Sequence, residues 1–328
     1  MVNIMDNKYI DGLVSVIIPT YKRYNTLSRA IKSVVYQTYK NIEILIVDDN
    51  DPNDSYSQGL KKMVFELDIP NLKLVTQEKH INGAAARNVG IKNAKGEFIA
   101  FLDDDDLWLP EKIEKEVEFI KHLPNEVGAV SNRKVFCNNG KISHISEVWN
   151  ADENQNFKVI SKQMNIQTCT LLIKRQYLDV TGYFDPNLRR HQEVQLMAFF
   201  TAKYKVEFLD EILTVIDSTD VMNRPNSNML IEYKKSFFDS IFPVIKNYSS
   251  HKQKLIYAHN MTEVAYALYR DNKKLKGIFL LIKCFRYPSV LKAFLKRVYY
   301  KRNSRNIQKV LSTKDINQIY RNIEKCEE

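Results

Sequence analysis

Four consecutive carboxylates, Asp103-Asp104-Asp105-Asp106, form the densest concentration of charge in this 328-residue chain. Like charges ~4 Å apart repel by ~1 kcal/mol even in bulk water, and by more in a cleft that excludes solvent. A divalent cation relieves that repulsion. Mg²⁺ and Mn²⁺ prefer oxygen ligands, often one or two carboxylates together with substrate phosphates. The competing role is capping of a helix expected to open near Pro110. One aspartate suffices as an N-cap, Asp106 being the expected one, which leaves three acids unexplained. Two further polar clusters are Pro19-Thr20-Tyr21-Lys22-Arg23 and Asp48-Asp49-Asn50-Asp51-Pro52.

Each cluster follows a short apolar run that reads as a strand: Leu13–Ile18, Ile42–Val47 and Glu97–Leu102, with Leu72–Val75 a further strand. Between the first two, Leu27, Ala30, Ile31 and Val34 mark the stripe of an amphipathic helix with Asn25 at its N-cap. Gly83–Ala94 reads as a small-residue helix packed closely on the sheet. On it Arg87 is either a solvated side chain or a guanidinium that pairs with a phosphate. Strand–helix alternation predicts a parallel sheet with helices on both faces. In such sheets ligands bind beyond the carboxyl ends of the strands, where strand order reverses, so all three clusters are expected to face one crevice. Farther on, Gln167–Lys174 and Val206–Leu209 read as strands and Glu193–Phe200 as a helix. From Asn228 the pattern turns helical, giving two expected domains, 1–225 and 226–328.

With 44% hydrophobic and 27% charged residues, the chain has the make-up of a globular protein that buries a substantial core. Cys137, Cys169, Cys284 and Cys326 form no CxxC or Cys/His spacing, so no disulfide framework or zinc site is expected and a cytoplasmic setting fits. The opening MVNIMDNKYIDG lacks a basic segment followed by an apolar one, so no signal peptide is expected. The run Ile278–Ile282 is far short of the ~20 apolar residues of a membrane span. The net charge of +10 is concentrated: thirteen Lys/Arg and no Asp or Glu lie between Asn272 and Lys314, which leaves the rest mildly acidic. A nucleic-acid binder would carry its positive patch on the main fold, so no nucleic-acid partner is expected.

VSVIIPTYKR, SVVYQTYKNIEILIVDDNDP, GAAARNVGI and EFIAFLDDDDLWLPEKIE follow in that order. Together they resemble the family 2 glycosyltransferases, over residues 13 to about 120. The resemblance implies an α/β GT-A fold, with a mostly parallel nucleotide-binding sheet flanked by helices and a C-terminal helical region. It also implies an inverting enzyme that uses a nucleotide-sugar donor, UDP-linked in relatives, with Mn²⁺ or Mg²⁺ as cofactor. Pro19, Thr20, Tyr21 and Arg23 would then line the nucleotide pocket, Asp48 or Asp49 would hydrogen-bond the base, and Arg87 would approach the donor. Asp103 and Asp104 would contact the ribose and the metal surroundings, with Asp105 the direct ligand. Gly182-Tyr183-Phe184-Asp185-Pro186 and Arg190-His191-Gln192-Glu193 resemble the family's acceptor-side motif, with Glu193 where that motif usually carries Asp. Glu193 would be the general base for a glycan or lipid-linked acceptor; its plainer role is a helix N-terminal acid. His191 would bind phosphate or orient the loop. The family often supplies a metal-binding histidine after the last strand; Val215-Ile216-Asp217-Ser218-Thr219 contains none, so either Asp217 substitutes or that contact is missing.

Pro288 is expected to open a helix whose stripe is Val290, Leu291, Phe294, Leu295 and Val298. Such a basic amphipathic segment either contacts an anionic membrane peripherally or packs on the catalytic domain with a solvated basic face. A lipid-linked acceptor favours the first, at the inner face of the plasma membrane. Two other classes compete. A nucleotidyltransferase normally carries a glycine-rich loop after its first strand, where this chain has none. A non-catalytic polysaccharide-assembly protein would keep the donor fold without turnover.

Overall fold

The computed structural model describes residues 8–219, 225–303 and 311–327. Strands β1 (Ile10–Thr20), β2 (Ile42–Asp48), β3 (Leu72–Thr76) and β4 (Gly96–Phe101) arise from the apolar runs and pair in parallel in the order β3-β2-β1-β4. Val16, Ile17, Leu45, Ile46, Ile99 and Ala100 are fully buried, as expected of parallel strands covered on both faces. Helices α1 (Asn25–Val35), α2 (Ser55–Leu67) and α3 (Gly83–Asn93) make the crossovers. Leu27, Ala30, Ile31 and Val34 form the buried face of α1, but Tyr24 holds its cap position and Asn25 is its first helical residue. Close packing of α3 is borne out at Gly90, where a Cβ would stand 2.4 Å from a methyl of Ile17.

The chain continues through β5 (Leu107–Trp108), α4 (Lys112–Lys121), β6 (Val127–Asn138), β7 (Lys141–Ile145), α5 (Gln155–Ile160), β8 (Leu171–Lys174), α6 (Arg175–Thr181), α7 (Gln192–Phe200) and β9 (Lys205–Asp217). Among the described residues these strands extend the sheet to nine, in the order β4-β8-β6-β9-β5 with β7 on β6. The sheet is therefore mixed: β6 and β9 pair in parallel, while β4/β8, β6/β8, β5/β9 and β6/β7 are antiparallel. The interior of β6 is polar, which hides it from an apolar-run reading. Ser131 shares a 2.9 Å hydrogen bond with Thr170, Asn132 donates to Glu116 at 2.7 Å, and Lys134 donates to the Asn165 carbonyl at 3.0 Å. Burying such groups is tolerable because each is bonded. Helix α4 opens at Lys112 after Glu111, which makes no side-chain cap, and β5 intervenes. Capping of that helix therefore does not explain the aspartate run, and Asp106 is not its cap.

Helices α8 (Ser227–Ile245), α9 (Ser250–Arg270), α10 (Lys274–Phe285), α11 (Pro288–Asn303) and α12 (Thr313–Glu327) complete the chain. Phe237, Ile241, Ile245 and Ile256 join one core with Ile17, Leu45, Phe101, Phe184 and Phe200. Each such side chain contributes ~2 kcal/mol by leaving water. Helix α12 returns to the far edge, where Ile319 and Ile323 pack against Leu107, Val135 and Val215. The expected division at residue 225 adjoins residues 220–224, which lie outside the described residues. Among the described residues no helix is long and apolar enough to cross a membrane.

Candidate active site

From β1 the chain steps outward to β2 and β3, then returns across β1 to β4, so strand order reverses between β1 and β4. A crevice at the carboxyl ends of the strands is expected there. Backbone bonds continue past the strand ends and hold the turns in register: Asp49 N–H donates to the Thr20 carbonyl at 3.0 Å, and Gln77 N–H to the Asp48 carbonyl at 3.0 Å. Asn50 links two turns by accepting from Lys22 N–H at 3.0 Å, Lys22 standing at a left-handed φ of 55°.

Asp48 and Asp49 are both buried, with different partners. The Asp48 carboxylate accepts from Asn50 and from Ser57 at 2.7 Å each, and so organises its own turn. Asp49 accepts from Gln77 at 2.6 Å and Ile81 N–H at 3.0 Å, and lies 2.9 Å from His80. Burial raises its pKa, against the bonds from Ile81 and His80. Tyr21 stacks on His80 with ring centroids 3.9 Å apart. Pro19, half-buried, pairs with Val47 across β1 and β2.

The aspartate run alternates in exposure: Asp103 and Asp105 are half-buried, Asp104 and Asp106 buried. The Thr20 hydroxyl donates to Asp104 at 2.8 Å across the point of strand reversal. Arg23 pairs with Asp105 and reaches Asp104 at 3.4 Å, and Arg87 pairs with Asp103. Asp106 accepts from Asp217 N–H at 3.0 Å and so ties the run to the end of β9. Burial, then the neighbouring carboxylates, raise the pKa of Asp104 to about 6 and also push up those of Asp105 and Asp106. The structure brings Asp217 beside the run, with its carboxylate bonded to Arg29 at 2.9 Å and to Thr219 N–H at 2.9 Å. Burial works to raise the Asp217 pKa, but those bonds outweigh it and hold it below the ordinary value.

The segments 182–186 and 190–193 reach the same place through α3. Asn88 exchanges two hydrogen bonds with the Phe184 backbone, at 2.8 and 3.1 Å, and Asn82 donates to the Pro186 carbonyl at 2.7 Å. Arg87 bridges the halves, bound to Asp103 and donating to Gln192 at the start of α7 at 3.3 Å. Burial opposes its charge, but Asp103 and Glu193 overcome that and raise its pKa. Glu193, in the first turn of α7, is half-buried and within electrostatic reach of Arg87 and Lys234. His191 precedes it in a left-handed conformation, φ 64°, packed against Phe237 and 3.4 Å from Lys162. Burial and Lys162 lower the pKa of His191 to about 2.

Sequence reasoning missed His80 and Arg29, and it gave Gln192, which lies within the second motif, no role of its own. His80 follows β3 at the same sheet edge, which was the available signal. Arg29 sits on the polar side of α1, and nothing local marks its reach to Asp217 and to the Asp105 carbonyl at 2.7 Å.

The sequence profile described as "Glycosyl transferase family 2" matches residues 15–180. Over 132 residues the chain is 38% identical to Escherichia coli WfgD, a UDP-Glc:alpha-D-GlcNAc-diphosphoundecaprenol beta-1,3-glucosyltransferase, a match covering 40% of this chain and 49% of WfgD. The chain thus spans about half the length of that relative. An uncharacterized glycosyltransferase of Rickettsia typhi is 30% identical over 233 residues, 68% of this chain and 69% of that protein. Staphylococcus aureus TarS 1–349, solved with UDP-GlcNAc, superposes with a TM-score of 0.59 at 19% identity, covering 95% of this chain and 90% of that one. Mannosyltransferase PcManGT of Pyrobaculum calidifontis, in complex with GDP-Man and Mn²⁺, gives 0.53 at 17% identity, covering 92% and 87%. At these identities the two structures establish the shared fold, the GT-A type expected from the resemblance. With the profile spanning half its length, the chain belongs to glycosyl transferase family 2.

Proposed function

We propose that this chain transfers a sugar, with inversion, from a UDP-sugar to a hydroxyl of a lipid-linked or cell-surface glycan acceptor. The observation that carries this reading is Arg87, which joins the aspartate run to the first turn of α7 and brings donor-side and acceptor-side residues to one point. The relative WfgD, which by its name uses UDP-Glc and a diphosphoundecaprenol-linked acceptor, supports the choice of donor and acceptor.

Glu193 takes the proton from the acceptor hydroxyl as that oxygen attacks the anomeric carbon. The bond from that carbon to the phosphate oxygen breaks, and UDP leaves with the electron pair. The Tyr21–His80 stack and Asp49 offer a ring face and an acceptor for the base, and Arg87 offers a guanidinium for the diphosphate.

Among the described residues no group of three or more His, Cys, Asp or Glu is arranged to hold a metal ion. The residues fit a cation held in the Mg²⁺ manner, by one or two carboxylates plus substrate phosphates. Asp103 and Asp105 are the two partly exposed members of the run, and a cation beside them would relieve the repulsion that helps raise the Asp105 pKa. Asp105, with Asp103, would hold Mg²⁺ or Mn²⁺, and Asp217 stands at the margin on its bond to Arg29. A bound cation would offset charge developing on the diphosphate leaving group. A thermal-shift panel of nucleotide sugars, followed by UDP-release assays with a diphospholipid-linked sugar acceptor, tests the reading. UDP-sugars should stabilise the chain more with Mn²⁺ than without, and Asp105→Asn should lower transfer about 100-fold. Turnover with no UDP-sugar would overturn the donor, and identical behaviour with and without metal would overturn the cation.

A further inference from the structure

The sequence pattern puts the apolar stripe of the basic segment on α11, but there Val290 is fully buried with Ala258 and Cys284, and Phe294 meets Phe285 at 5.2 Å. Farther along α11, Leu295 and Val298 are exposed, but the longer run of outward apolar side chains lies on α10. Gly277 seats it on α9: a Cβ there would lie 2.7 Å from the Ala265 carbonyl oxygen, so the backbones touch and the rotation of α10 is fixed. With Gly277 and Cys284 inward, Leu275, Ile278, Phe279 and Ile282 fall on the opposite side, 84%, 45%, 60% and 60% exposed. Their i, i+3, i+4, i+7 spacing makes one continuous stripe. At 100° per residue, Lys276 and Lys283 flank it on one side and Lys274 on the other, all exposed. Lys283 lies 4.4 Å over the Phe279 ring and Lys274 5.8 Å over that of Tyr269, which with Tyr266 is exposed on α9.

We propose that this face of α10 docks on an anionic lipid surface. Single exposed apolar side chains are ordinary, but a contiguous stripe marks an interaction site. Lysine stems lie along apolar surface while their ammonium groups reach outward, which suits acyl chains under the stripe and lipid phosphates beside it. The absence of any Asp or Glu between Asn272 and Lys314 gives the segment one sign of charge. A second copy laid on this face would set like charges against each other, whereas anionic headgroups complement them. The inference rests on this face alone and stands apart from the donor and acceptor proposed above.

Flotation of the full chain with phosphatidylglycerol/phosphatidylcholine vesicles tests it, against phosphatidylcholine alone. The wild-type chain should float with the anionic vesicles, and less at high salt. The triple variant Ile278→Ser, Phe279→Ser, Ile282→Ser should lower the partition about tenfold or more. Its unfolding midpoint and its stabilisation by UDP in lipid-free buffer serve as controls, which the face does not touch. Lys274→Gln with Lys276→Gln and Lys283→Gln should lower partition several-fold and remove most of its salt dependence. Equal flotation of wild-type and triple variant overturns the proposal. So does a lipid-indifferent wild-type dimer that the triple variant converts to monomer in light scattering, which would make the occupant a second copy.

Discussion

Around Asp103–Asp106 the acids outnumber the described guanidinium groups bound to their carboxylates, Arg23 and Arg87, whereas around Glu263 the bases are in excess. In the second cluster Lys162 and Lys234 both reach Glu263 at 2.8 Å, with His191 beside Lys162. The two respond differently to burial. In the aspartate run burial wins and the carboxyl pKa values rise. At Glu263 burial is outweighed by Lys162 and Lys234, which hold its pKa well below the carboxylate range, while burial and Lys162 bring Lys234 down to about 7. A cluster with surplus like charge and partly exposed members suits a ligand of opposite charge. One whose charges are spent on each other suits joining elements, here the exit of α5, the start of α7, and helices α8 and α9. Glu193 stands between them, its charge felt by Arg87 on one side and Lys234 on the other.

Substitutions can break that contrast. The largest effect is expected for Glu193→Gln, which should lower kcat about 1,000-fold, ~4 kcal/mol of barrier, with the unfolding midpoint retained. A loss below tenfold, measured as UDP release at saturating acceptor, would move Glu193 into the structural cluster. Next, Glu263→Gln leaves buried Lys234 and half-buried Lys162 without their shared acid and should cost about 3 kcal/mol in urea unfolding at pH 7. Because the folded pKa of Glu263 is depressed, its stabilisation is present above its unfolded value and lost as pH falls through the folded one. The difference between wild-type and variant should therefore shrink at pH 3; one that grew on acidification would refute the pairing. Smallest is Arg87→Lys, which cannot span Asp103 and Gln192 in the same way and should lower kcat/KM about tenfold. A variant that unfolds as readily as Glu263→Gln yet keeps kcat/KM would place Arg87 with the structural charges.

Much of the parallel half of the fold was legible because β1, β2 and β4 bury both faces, so their side chains must be apolar without interruption. Strand β6 was not, since Ser131, Asn132 and Lys134 satisfy their polarity only through Thr170, Glu116 and Asn165, which are distant in the chain. Within the site, polar clusters at strand ends announced themselves. Arg29 did not, since its partners Asp217 and the Asp105 carbonyl come close only through folding. The tail shows the same limit: its basic apolar composition was visible, but Gly277 against Ala265 decided which side of α10 turned outward.

By itself the sequence determined that four acids end a buried strand, and hence that they lie at a sheet edge with excess negative charge. That follows from local pattern, because strand burial and chain direction are properties of consecutive residues. Tertiary structure alone decided how the acids divide: Asp104 and Asp106 turn inward to Thr20 and Asp217, while Asp103 and Asp105 stay partly open beside Arg87 and Arg23. It also decided that Glu193 arrives there at all, on a helix start fixed from behind by residues of α8 and α9. Those contacts join residues tens of positions apart, and their energies exist only once the core that aligns them has closed.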